Sequence, residues 1–207
     1  MSLNFRPTHT CSTRALRTHR LLVLLGLRPS IASILRLTIL GSQHSKRPSI
    51  SPLQSFSKTV ETLANCRSAP CYLILCDGSQ TTVIEKDLET SNTRTSQDFI
   101  VHTNHDIRLE GIPQPSTTIL GMEALVEESE ERRDCIQKKW DRHCKNYRNG
   151  QFSTSIAADA KPPAIGEQTL KSWVKAYPIK NECTHFACIM DQKTAQIRWL
   201  ERGELDP

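Results

Sequence analysis

Asn104 closes the apolar run Phe99–Thr103 (FIVHT) within Thr103-Asn104-His105-Asp106. A side-chain amide at a strand end can donate to an oxyanion as it develops on a reacting carbonyl. Asn is equally at home as a turn residue, and spacing alone does not choose between the two. His102 and His105 flank the same strand end, and His143-Cys144 and His185 lie further on. They offer metal-type donors, but nothing in their spacing brings them to one point. The eight cysteines (Cys11, Cys66, Cys71, Cys76, Cys135, Cys144, Cys183 and Cys188) contain no C-x-x-C pair, so zinc-ribbon spacing is absent. Cys71 and Cys76 are five apart, as are Cys183 and Cys188. On a strand such pairs face opposite sides, and they read as small buried hydrophobes. Glu130-Glu131-Arg132-Arg133-Asp134 reads as a solvated helix face with local ion pairs. There is no G-x-G-x-x-G, Walker loop, H-E-x-x-H or G-x-S-x-G, so the commonest dinucleotide, nucleotide, zinc-protease and serine-hydrolase signals are missing.

The elements that must hold these residues follow from periodicity. Phe56, Val60, Leu63 and Ala64 recur at helical spacing, so Phe56–Ala64 is expected as a helix that Ala69-Pro70 breaks. Cys71–Cys76 (CYLILC) and Thr81–Glu85 (TTVIE) flank Asp77-Gly78, the pattern of an antiparallel hairpin. Phe99–Thr103 is expected as another strand, and residues 107–122, with Gly111, Pro113, Pro115 and Gly121, as loop. Glu123–Tyr147 has acids early and bases late, which suits a helix dipole. On it Cys135, Ile136, Lys139, Trp140 and His143 share a face. Residues 148–164 read as loop, and Gly166–Tyr177 as a short helix ended by Pro178. His185–Met190 and Ala195–Leu200 flank Asp191–Thr194 as a second hairpin. Helix, strands, helices, strands is an α+β order, with an antiparallel sheet covered by helices.

Charge divides the chain. Of its 207 residues, the first 60 carry nine Lys/Arg and no acid, and residues 61–207 carry eighteen Lys/Arg against twenty-two Asp/Glu. The isoelectric point near 8.8 therefore belongs to the N-terminal segment, and the rest has no basic surplus that would point to nucleic acid. A mean hydropathy of −0.44 excludes a polytopic membrane protein. Leu21–Leu27 (LLVLLGL) follows Arg14, Arg17 and Arg20 and precedes Ser30-Ile31-Ala32-Ser33, the order of a secretory signal. The spread of Arg without acid equally fits a mitochondrial transit peptide, and a plainly irregular segment is the third reading. Arg28, Pro29 and Arg36 interrupt Leu21–Leu40, short of the roughly 20 apolar residues a membrane span needs. Pro48, Ser49, Ser51, Pro52 and Ser55 form a linker that separates a basic segment, 1–53, from the region 54–207.

Five stretches fall in a recognisable order: Ser68–Gly78 (SAPCYLILCDG), Val83–Asp87 (VIEKD), Asp98–Asp106 (DFIVHTNHD), Glu131–Arg133 (ERR) and Cys183–Leu200 (CTHFACIMDQKTAQIRWL). Together they resemble the C-terminal half of acid ceramidase and of N-acylethanolamine-hydrolysing acid amidase, over about residues 54–207. The resemblance implies an N-terminal-nucleophile hydrolase, an αββα sandwich around antiparallel sheet. It would cleave N-acyl amides such as ceramide into fatty acid and amine, with no cofactor and no metal. It implies a Cys nucleophile freed at a new N-terminus, whose α-amine acts as general base. It implies Asn104 in the oxyanion hole and Arg132 beside nucleophile and substrate, and it favours a lysosomal, vacuolar or secretory route.

The chain departs from the family at its start. The family's nucleophile Cys and its two central strands precede the matched region, where this chain has a basic segment of only about fifty residues instead. Cys11-Ser12-Thr13 is similar to the family's catalytic start, but no apolar strand follows it. His105 stands where acid ceramidase has Tyr, which leaves the substrate open. The expectation is therefore a chain without its nucleophile half: a truncated, inactive homologue or a non-catalytic partner of a nucleophile-bearing chain. A sheet without its inner strands would expose apolar edges.

Overall fold

Asp77 and Gly78 turn the first hairpin. Gly78 takes φ +89°, in the left-handed region where a side chain is strained. Asp77 Oδ1 accepts from the Ser79 and Gln80 amides at 2.8 and 2.9 Å and from the Ser79 hydroxyl at 2.8 Å. These donors hold the Asp77 carboxyl down at about 2. The turn sets Cys71–Cys76 (β2) against Thr81–Lys86 (β3), with Leu73 opposite Ile84. In the computed structural model the described residues are 2–6, 11–40, 55–107, 110, 122–151 and 163–203. The chain divides after Gln97 into two compact units. The linker of Pro48, Ser49, Ser51 and Pro52 and most of the loop 107–122 lie outside the described residues.

In the N-terminal unit the hairpin is extended on both sides. Ser2–Phe5 (β1) pairs antiparallel with β2, and Ser91–Ser96 (β4) antiparallel with β3, so the sheet order is β1-β2-β3-β4. Cys71, Leu73, Leu75 and Ile84 share one face and form a core with Leu35 and Leu63. Leu63, Leu73 and Ile84 are fully buried, and burying such a side chain stabilises by about 1.5–3 kcal/mol. Leu35 comes from Ile31–Leu40 (α2) and Leu63 from Phe56–Asn65 (α3), which also lay Ile31, Ile34, Phe56 and Val60 on the core. Serine hydroxyls open the helices: Ser12 accepts from Ala15 N at 3.2 Å before Thr13–Leu24 (α1), Ser30 from Ser33 N at 3.1 Å, and Ser55 from Lys58 N at 3.3 Å. Lys86 shares the core face, and burial pulls its pKa down. Its Nζ donates to Ala64 O at 2.8 Å, at the C-terminal end of α3, where a cation also meets the helix dipole.

The C-terminal unit is built differently. Met122–Gln151 (α4) has 30 residues, about 45 Å at ~1.5 Å per residue. It is polar on most of its surface, with Val126 and Ser129 buried. Pairs along it include Arg132–Glu128 at 3.8 Å and Gln137 Nε2 to Asp141 Oδ1 at 2.9 Å. Phe186–Asp191 (β5) and Gln196–Arg202 (β6) form a two-stranded antiparallel sheet. Asp191 holds its turn as Asp77 holds the first: Oδ1 accepts from Lys193 N at 3.0 Å, and Oδ2 pairs with Arg198 at 2.9 Å. Glu167–Lys175 (α5) packs on β5. Glu201 pairs with both Lys175 and Lys180, and Lys175 Nζ sits 5.3 Å from the centre of the Trp199 ring. The opposite face carries Phe186, Met190, Ile197 and Leu200, 47–63% exposed.

The α+β class with antiparallel sheet is present, as are the helix at 56, both hairpins, the long helix and α5. Two expectations differ, and one strand was not expected. Residues 99–103 are not a strand; their Phe99 ring stacks on Trp140 of α4 at 4.6 Å and 12°. The strand lies earlier, in the polar sequence SNTRTS. Its register is held by Thr82 Oγ1 to Thr95 Oγ1 at 2.9 Å and Asn92 Nδ2 to Glu85 Oε2 at 3.0 Å. Where an irregular basic segment is expected, residues 13–24 and 31–40 are helical, because Ile31, Ile34 and Leu35 have a core to cover. Among the described residues no helix is long and apolar enough to cross a membrane.

Candidate functional site

The site sits where residues 103–107 and Glu110 meet the first half of α4. Ser129 is fully buried one turn before Arg132 and Arg133. Its Oγ accepts from the Asn104 backbone N–H at 2.7 Å and lies 2.9 Å from His105 Nδ1. Thr103 Oγ1 is 3.1 Å from the same nitrogen. The other ring nitrogen, Nε2, is 2.7 Å from Glu110 Oε1. Arg133 grips that carboxylate from the helix, with Nε 2.6 Å from Oε1 and Nη2 donating to Oε2 at 2.7 Å. Of the two contacts only the Nη2 one is a directed, charge-assisted hydrogen bond; the Nε contact is an ion pair without hydrogen-bond geometry. His105 is 1% exposed, so its ring pins the segment to the helix.

One ring nitrogen of His105 thus meets the Glu110 carboxylate, and the other meets the hydroxyls of Thr103 and Ser129. Hydroxyl, imidazole and carboxylate thus stand in the order of a hydrolytic relay. A nucleophile, however, needs an open approach for a carbonyl, and the Ser129 hydroxyl has none. The chemistry of this chain of groups is structural: it fixes the backbone of residue 104.

Asn104 itself is exposed, and Arg132, half-buried, lies one helical turn beyond the serine that holds it. The two residues singled out from sequence therefore share one framework, with Ser129 between them. Arg132 pairs with Glu128 at 3.8 Å, a loose contact beside that of Arg133. His105, Glu110, Ser129 and Arg133 are the members that sequence reasoning did not assemble. The metal-type donors are not gathered. His105 is committed to Ser129 and Glu110, while His143 lies between Trp140 and Trp173, tilted to the first ring and edge-on to the second, and contacts Ala164 O at 3.2 Å. Among the described residues no three His, Cys, Asp or Glu side chains come together as a metal site.

None of the eight cysteines is in a disulfide. Burial drives the Cys71 pKa up to about 11. Cys66 is raised by burial, and Cys11 by burial and then by the Asp87 carboxylate. A thiolate nucleophile needs the opposite shift. No family model, curated protein or solved structure matches the chain.

Proposed function

We propose that this chain is the oxyanion-side part of an acid-ceramidase-like amidohydrolase, acting on N-acyl amides such as ceramide when a second chain brings the thiol. The observation that supports this most is the docking of Asn104 on Ser129, one turn from Arg132. In the reaction a thiolate would add to the amide carbonyl, and the α-amine of the same Cys would take up the thiol proton. The Asn104 amide would donate to the resulting oxyanion while Arg132 stabilises its charge. The amine would leave with that proton, and water would release the fatty acid from the thioester.

A second reading, an inactive homologue, is favoured by the raised pKa values of Cys11, Cys66 and Cys71. The experiment measures N-acylethanolamine and ceramide binding and hydrolysis by the purified chain at acidic and neutral pH. The expected result is saturable binding without turnover, weakened several-fold by Asn104→Ala and by Arg132→Gln. Turnover abolished by Asn104→Ala would put the nucleophile inside this chain and remove the need for a second one. A folded chain that binds neither amide would overturn the reading in favour of the inactive homologue.

A further inference from the structure

Three arginines from separate stretches meet around one cavity of the N-terminal unit. Arg14 of α1, Arg28 of the turn behind it and Arg67 of the loop after α3 line a space of about 340 Å³ with Ser12, Thr18 and Leu88. Arg67 pairs with Glu89. Arg14 and Arg28 have no acidic partner among the described residues. Two arginines lining one cavity, neither paired with an acid among the described residues, carry like charges that repel each other. Arg14 also stands in the first turn of α1, where the helix dipole disfavours a cation, and that turn holds no acid. An anion in the cavity relieves both costs. The positive field extends to His19, 2% exposed and without a hydrogen bond at Nδ1. Burial first, then the charges of Arg28 and Arg67, hold its ring toward the neutral form.

We propose that this cavity binds a small phosphomonoester, its phosphate among Arg14, Arg28 and Arg67 and its organic part against Leu88. Guanidinium groups donate paired N–H bonds that match phosphate oxygens. A phosphomonoester carries about −1.5 to −2 near neutral pH, which matches Arg14 and Arg28 better than a carboxylate does. Leu88 is 4% exposed and supplies an apolar wall, the usual complement to a few fixed polar groups in a ligand pocket.

The test is titration of the full chain with phenyl phosphate, inorganic phosphate and benzoate, followed by calorimetry. Phenyl phosphate is expected to bind several-fold tighter than either of the others. Arg28→Gln and Arg14→Gln should each weaken it about tenfold or more. Arg17→Gln, an exposed charge of α1 outside the cavity, should leave it unchanged. Circular dichroism checks that each variant is folded. Equal losses in Arg17→Gln and Arg28→Gln would reduce the effect to net charge and overturn the site, as would the absence of saturable binding. Vesicles containing phosphatidic acid form a second arm: capture that depends on Arg28 and excludes phenyl phosphate would make a lipid headgroup the source of the phosphate. The amidohydrolase reading is tested with neutral amides and in the other unit, so the two stand or fall separately.

Discussion

Ser129 governs how Asn104 is presented. Its hydroxyl accepts the Asn104 N–H and contacts the buried His105 ring. Ser129→Ala removes the acceptor of the Asn104 N–H, while His105 Nδ1 keeps Thr103 Oγ1, and losing one such hydrogen bond costs about 0.5–1.5 kcal/mol. The expected outcome is a lower urea midpoint with an unchanged slope; a midpoint equal to that of the parent would show the contact to be dispensable. The bend at Asn104 was legible in the sequence because a polar residue after an apolar run marks a turn. Ser129 was not, because one hydroxyl among Glu127, Glu128, Glu130 and Glu131 carries no periodic signal, and its partners lie 24 and 25 residues away. Nor could sequence say which of Arg132 and Arg133 would face Glu110. Neighbours on a helix point about 100° apart, so only one can, and it is Arg133 that does.

Among the elements, the two hairpins were readable nearly to the residue, since an Asp at each turn accepts the amides that the turn leaves over. Strand β4 was hidden because its side chains are polar and its partner strand, not its own pattern, recruits it. Phe99–Thr103 misled for the opposite reason: its apolar residues serve α4 instead of a sheet. Helix α1 carries a consequence for pH. The folded pKa of His19 lies below its ordinary 6.5. As pH falls below about 6.5 the unfolded chain takes up this proton before the folded one, so stability is lost on acidification and present above that range. Melts of the full chain at about pH 5 and about pH 7.5 should show a lower midpoint at the acidic end, and His19→Leu should shrink the difference. A difference of the same size in the variant would assign it to other groups.

At the scale of the whole molecule, composition and element order gave the α+β class. The division after Gln97 lay beyond them, because no Pro- or Gly-rich stretch marks Ser96–Asp98. The five stretches set out from sequence fall in both units, and nothing in their order marks where the two cores separate. Stability is also unequal across the fold. A two-stranded sheet is marginal by itself in water, and β5–β6 relies on α5 through Glu201, Lys175 and Trp199. Its other face leaves Phe186 62% and Ile197 63% exposed. Replacing both with Thr keeps β-forming side chains while removing most of the apolar surface. The soluble yield and the concentration at which light scattering begins should both rise; no change in either would place the sticky surface elsewhere.

That bare face makes the melting temperature of the chain a property of the sample as well as of the fold. Molecules that open on heating meet one another through it, and association removes them from the equilibrium before they can refold. The midpoint should then slide downward as protein concentration rises and upward as the heating ramp quickens.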